Sequence, residues 1–266
     1  MVELDDSTLI PFRPCAMMLK VNPLCRIRPA EVSEDTLQKI KEYTGTEIRS
    51  FDYSLKPKII FGAAISSPVK AERHISLTPP GNDPKMFFEL GFIAQQVLLF
   101  LSYLKLSYAL FFDGGKIVIS ISHEEPSIVK NAINAGFARL AMPLAKDLLY
   151  FESWGIHPEL FFEDNPKLDS VIRYCRYAPR VLGYGEPNFI MNKEYLHLTL
   201  KPAGKAPNMG DYLNAGLLLL NFIISAEMLG LKGEWKLLRE IDAPDRTAFN
   251  LPDDIFHIAT WHGQLF

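Results

Sequence analysis

Two long apolar stretches dominate the pattern of this chain, Phe87 to Phe112 and Leu213 to Leu231. Polar residues interrupt both: Glu89, Gln95, Gln96 and Lys105 the first, Asn214, Asn221 and Glu227 the second. Hydrocarbon tolerates such groups poorly, so the pattern predicts two helices buried in a protein core rather than two membrane spans. The stretches also match each other without a gap. FELGFIAQQVLLFLSYLKL, around Gly91, resembles YLNAGLLLLNFIISAEMLGL, around Gly216, at an offset of 125 (216 minus 91). Glu89 corresponds to Asn214 and Gln96 to Asn221, so each predicted helix carries polar groups seven residues apart, two turns along one face.

The flanking pattern repeats as well. EDTLQKIKEYT from Glu34 and KLDSVIRYCRYA from Lys167 predict a shorter helix ahead of each central one. KPKIIFGAAI from Lys56 and YLHLTLKP from Tyr195 predict strands entering the central helices; KIVISIS from Lys116 and IFHIATW from Ile255 predict strands after them. The expected unit is helix, strand, helix, strand, used twice in an α+β fold. A helix apolar all round needs cover on every side, and two such helices about a pseudo-twofold axis cover each other as subunits do in a symmetric dimer. The chain therefore reads as a fused dimer, a first half of residues 1–160 and a second of 161–266, intimately packed as one globular unit and expected to be a monomer. Between them, Asn131 to Asn165, with Pro143, Gly155, Pro158 and the run WGIHPELFFEDNP, is expected to be a connector. SLTPPGNDP from Ser76 is expected to be an exposed loop or a lid ahead of the first central helix.

Composition narrows the function classes. With 266 residues, 48% of them hydrophobic, the chain can bury a sizeable core without disulfides or metals. The formal charge of -3, from 28 basic and 31 acidic residues spread along the sequence, provides no basic field for nucleic acid. Cys15, Cys25 and Cys175 are odd in number and lack C-x-x-C spacing, which fits structural thiols in a reducing compartment. The opening residues, with Glu3, Asp5 and Asp6, do not form a secretory signal, so the expected location is cytoplasmic. The six histidines show no helical pairing with a carboxylate, and no metal site is expected. The G-x-S-x-G elbow, the Walker A loop and G-x-G-x-x-G are absent.

Four segments in order along the chain resemble the FMN-dependent nitroreductase family, specifically its single-chain members that fuse two half-domains. NPLCRIRPAEVSEDTLQKI matches the family's arginine-rich start, and RYAPRVLGYGEPN is similar to its Ala-Pro-Ser segment that continues to Asn and Gln-Pro-Trp. LGLKGEW, with LKLSYAL as its degenerate copy, resembles the Gly-Leu-Gly turn after a central helix, and NLPDDIFHIATWHG resembles the C-terminal strand. The resemblance spans roughly residues 20–263 and is one of element order and spacing.

What the resemblance implies is a nitroreductase-like α+β fold holding FMN between the halves, with NAD(P)H as electron donor and a small-molecule acceptor such as a nitroaromatic or quinone. It assigns Arg26 and Arg28 to the phosphate and pyrimidine, a role that suits the planar guanidinium fork. It places Arg180, Tyr184, Gly185 and Glu186 beside the isoalloxazine. No catalytic side chain is assigned, since the flavin carries the chemistry. The sequence departs from the family here: Arg180 stands at the serine, Gly183 or Tyr184 at the asparagine, Glu186 at the glutamine and Asn188 at the tryptophan. Arg180 and Tyr184 can hydrogen-bond or stack on a flavin, or Arg180 can plug an empty cleft. Two functions stay open: an FMN-dependent oxidoreductase, and a degenerate, non-enzymatic small-ligand binding or scaffold protein.

Overall fold

The computed structural model describes residues 31–51, 57–62, 71, 73–123, 145–158, 165–192, 194–237 and 243–263. Arg26, Arg28, Cys15, Cys25 and most of the predicted connector lie outside them. Among the described residues the fold is α+β, with four α-helices and two sheets.

Three of the four helices begin at a side-chain cap. Helix α1, Glu34–Thr46, starts after Ser33, whose hydroxyl accepts from the Thr36 amide at 3.3 Å, and carries Glu34 and Asp35 at the positive end of its dipole. Helix α2, Pro84–Tyr103, has Asp83 as N-cap and proline at its first position. Helix α3, Pro166–Cys175, also opens on proline and is tied along its exposed face by Arg173 to Asp169 at 2.6 Å. Helix α4, Met209–Met228, opens with a capping box in which Asn208 and Asp211 satisfy each other's backbone amides.

The central helices α2 and α4 are the two predicted from the apolar stretches, and both are long and apolar enough to cross a membrane by length and composition. In the fold 83% of each apolar window is buried inside the protein, so they are core helices. They cross at Gly91 and Gly216. A Cβ on Gly91 would overlap the carbonyl oxygen of Leu213, and one on Gly216 would overlap that of Phe88. These contacts are reciprocal at the offset found in the sequence, since Phe88 and Leu213 are also 125 apart. Only glycine lets the two backbones touch.

The strands are β1 Lys58–Gly62, β2 Arg73–Thr78, β3 Leu106–Asp113, β4 Lys116–His123, β5 Leu149–Phe151, β6 Glu186–Met191, β7 Leu196–Lys201, β8 Gly233–Leu237 and β9 Phe256–Gly263. The first sheet runs β1-β2-β4-β3 and is antiparallel throughout. The second runs β5-β6-β7-β9-β8, with only β5 parallel to its neighbour. The repeated unit therefore has two strands before and two after each central helix, a correction to the single strands expected. In LKLSYAL, Leu104 and Lys105 form a turn, with Lys105 at a φ of 59°, before β3 opens at Leu106, and GEPN opens β6. The described part of the connector supplies the edge strand β5.

One apolar cluster joins the first sheet to α1 and α2; another joins the second sheet to α3 and α4. Leu213, Leu217 and Leu220 of α4 belong to the first cluster and Phe88 of α2 to the second, so the helix pair stitches the two together.

Candidate functional site

Four of the polar residues buried on the central helices, Glu89, Gln96, Asn214 and Asn221, hold the loops that follow the shorter helices. Gln96 clasps the backbone of Arg49, accepting from its amide at 3.1 Å and donating to its carbonyl at 2.8 Å, and Glu89 accepts from the amide of Phe51 at 2.5 Å. In the second copy Asn221 donates to the carbonyl of Tyr174 at 3.2 Å. Asn214 accepts from the amide of Val181 at 2.9 Å and donates to the carbonyls of Val181 and Gly185. Because Glu89 and Asn214 are equivalent, so are Phe51 and Val181, and the residues before them, Ser50 and Arg180. The separation is 130 here (181 minus 51) and 125 at the other clasp (174 minus 49), so the second loop carries five more residues between its two holds.

The loop with four of the expected site residues is closed. Tyr184 lies flat on Gly210, where its ring would overlap any Cβ, and its edge meets Phe112 at 5.5 Å between centroids. Gly185 donates its amide to Asp211 at 2.5 Å and sits so near Lys201 that a Cβ would stand 2.5 Å from the Lys201 carbonyl oxygen. Gly183 has a φ of 85°, a conformation that favours glycine, and Gly185 is required for space. Arg180 pairs with Glu186 at 3.4 Å, and burial draws its guanidinium below the usual value, an effect that Glu186 partly offsets. Arg180 and Glu186 are thus brought together, while Tyr184 and Gly185 face the protein's own backbone.

At the equivalent place in the first copy a cavity of about 370 Å³ opens. Ser50 and Phe51 form one side and Phe92 of α2 the floor. Ile223, Ala226 and Glu227 of α4 form another side, and Glu234, Trp235 and Trp261 from β8 and β9 complete it. Trp235 and Trp261 pack with Phe222 and each other at 5.0 to 5.7 Å between ring centroids. Both indole N–H groups are buried without an acceptor among the described residues. Glu234 pairs with Lys236 at 3.2 Å.

A search of solved structures finds this architecture in the crystal structure of a "putative nitroreductase" from Thermotoga maritima, with a TM-score of 0.56 over 92% of each chain at 11% identity. The fold is nitroreductase-like. No family model matches the chain, and no curated protein matches it by sequence. At 11% identity the nitroreductase-like architecture is shared without a shared set of side chains, so chemistry has to be read from the residues present.

Against those residues, a flavin divides in two. The cavity's aromatic walls and its volume, at the low end of the roughly 300–1,000 Å³ typical of ligand pockets, fit a flat ring system. Its phosphate has no cradle there, because the charged lining residues are the carboxylates of Glu227 and Glu234. The sequence signals that mark this cavity are Trp235, Trp261 and the repeat of the Arg180 loop at Ser50, none of which belongs to the residues first singled out.

Proposed function

We propose that this chain is an FMN-dependent oxidoreductase whose residues 1–160 and 161–266 pack as a fused pseudo-dimer, with the flavin ring in the cavity beside Ser50 and Phe51. The observation that carries the proposal is an aromatic-walled cavity of about 370 Å³ at the seam of a nitroreductase-like fold, lined by both copies of the repeat. The reciprocal Gly91 and Gly216 contacts support the pseudo-dimer. When bound, FMN would supply hydride and electron transfer between NAD(P)H and a nitroaromatic, quinone or similar acceptor.

The chain's own residues do the holding. Phe51, Trp235 and Trp261 bound the ring and exclude water, and Ser50, at the position that corresponds to Arg180, offers a small polar group where the other copy carries a long cation. Phosphate recognition falls to Arg26 and Arg28, which lie outside the described residues. Arg180, Tyr184, Gly185 and Glu186 form the counterpart, which packs on the protein's own backbone among the described residues. A visible spectrum of the purified protein, followed by an FMN titration read by flavin fluorescence and an NADH oxidation assay with menadione, tests this. Saturable binding with flavin quenching and NADH turnover are expected; protein that leaves FMN fluorescence unchanged and NADH unoxidised overturns it.

A second reading, a non-enzymatic small-ligand binder, is favoured by one observation. The cavity rim carries Glu227 and Glu234, which repel a phosphate. It predicts that a flat ligand without phosphate, lumiflavin, binds while FMN does not.

A further inference from the structure

Strands β3 and β4 are joined by Gly114 and Gly115 alone, whereas the equivalent strands β8 and β9 are joined by residues 238–255. The described part of that insertion, from Ala243, lies across the outer face of the second sheet, opposite the helices. Leu196, Leu198, Leu200, Ile258 and Trp261 belong to the helix-side core, so His197, Thr260 and His262 face outward by strand alternation and the bulge at Leu198 and Thr199. Between sheet and insertion is a second cavity of about 360 Å³, on the other side of β9 from the one beside Ser50.

The insertion is braced in place. Arg246 donates to the carbonyls of Ile255 at 3.0 Å and Pro252 at 2.5 Å, and the Trp154 amide donates to the carbonyl of Phe249 at 2.8 Å. On the sheet, Thr260 hydrogen-bonds His197 at 2.9 Å and His257 at 2.8 Å, which fixes the His197 ring in the wall. Four rings then surround the space. Tyr195 meets His197 at 6.0 Å and His262 at 6.5 Å between centroids, and His197 meets Phe249 at 5.5 Å and 85°. Among the described residues, Asp245 is the single acidic side chain in the lining, and none of them is lysine or arginine. Its Oδ1 accepts from the amides of Thr247 and Ala248, so the carboxylate is held in position by the loop it caps.

The faces of Tyr195 and Phe249 attract a cation through their ring quadrupoles, and a fixed carboxylate adds a charge partner. We propose that this outer cavity is a binding site for a small organic ammonium ion, a class that neither an anion nor a neutral ring would match here. The aromatic walls take the alkyl groups and the positive charge, and Asp245 sets the sign.

The test is calorimetric titration of the full chain with choline and with its neutral carbon isostere, 3,3-dimethylbutan-1-ol. Choline is expected to bind saturably, at least about tenfold more tightly than the alcohol, in keeping with charge and cation–π recognition. Asp245→Asn keeps the Oδ1 cap and removes the charge; Tyr195→Leu alters a wall residue that is 43% exposed and not part of the core. Each is expected to weaken choline about tenfold while leaving the thermal midpoint and FMN titration unchanged. Equal affinity for the alcohol and choline, choline binding untouched in both variants, or no saturable binding of choline would each overturn the proposal.

Discussion

Replacing Gly216 by alanine adds one methyl group at the point where α4 crosses α2, and the structure sets the consequence. Besides overlapping the Phe88 carbonyl oxygen, the new Cβ would stand 2.8 Å from the Phe92 nitrogen and 2.9 Å from the Phe88 carbonyl carbon. Comfortable carbon contacts lie at about 3.5 to 4.0 Å, so the helices must part by at least roughly 0.7 Å. A gap of that size forfeits about a quarter to a half of each dispersion well along the crossing. Phe88, Phe92 and Leu213 are all fully buried there. Neither partner is a flexible side chain that can swing away, which places the cost at or above the upper end of the usual 1–3 kcal/mol for overpacking. Alanine's better helix propensity returns about 1 kcal/mol. We expect a net loss of about 3 kcal/mol, a large share of the roughly 5–15 kcal/mol that holds a domain folded. In a urea titration followed by circular dichroism that is a midpoint lower by about 1 M. Gly91→Ala should behave alike, and the double variant should cost less than the two singles together, because one separation relieves both overlaps. Gly45, in α1 with nothing within 4 Å of its would-be Cβ, is the control: Gly45→Ala should stabilise by about 0.5–1 kcal/mol. A Gly216→Ala protein as stable as the parent would refute the close crossing.

Asp211→Ala removes the acceptor for the amides of both Gly185 and Asn208, so a loss of about 2–4 kcal/mol in urea unfolding is expected, whereas loss of an ordinary exposed cap costs about 1. Asn214→Ala leaves the Val181 amide and two carbonyls without their partner, and hydrogen exchange at Val181 should quicken before the protein as a whole loosens. His74 is 4% exposed and burial draws its imidazole below the ordinary value, so it stays neutral when folded and protonates more readily when unfolded. Its contribution is complete above about pH 6.5 and is lost as pH falls toward the lower folded value, so the urea midpoint of the parent should drop over that window more steeply than that of His74→Gln.

The central helices were legible because an all-apolar helix leaves a strong and repeated signal, and its Gly91 and Gly216 fall at the same offset. Strands were lost where the sheet hides its alternation. In β2, His74 and Ser76 are buried beside Ile75 and Leu77, and His74 bonds Ser120 across the ladder at 2.9 Å, so a strand covered on both faces showed no simple polar and apolar rhythm. Strand β8 has only five residues and opens on Gly233, which lies against the Trp261 ring where a Cβ cannot fit. Strand β6 begins Glu-Pro and reads as a loop end. At the site, the chain around Arg180 carried the family resemblance and drew attention to the copy that is closed; the open copy, at Ser50, has lost the motif and was reachable only through the hydrogen bonds of Glu89 and Asn214.

Those two residues also explain how a repeated scaffold arrives at unlike loops. Glu89 accepts the backbone amide of Phe51 through Oε1. Asn214, at the same place, both accepts and donates, and it draws the Val181 amide, the Val181 carbonyl and the Gly185 carbonyl onto one side chain. The second loop is thereby folded back on itself until Tyr184 reaches Gly210 and Phe112. In the first loop the donor is Gln96, which holds the Arg49 carbonyl, and the cavity opens beside Ser50 and Phe51. An amide in one copy and a carboxylate in the other, at one position of a shared helix pattern, thus gather different backbone groups.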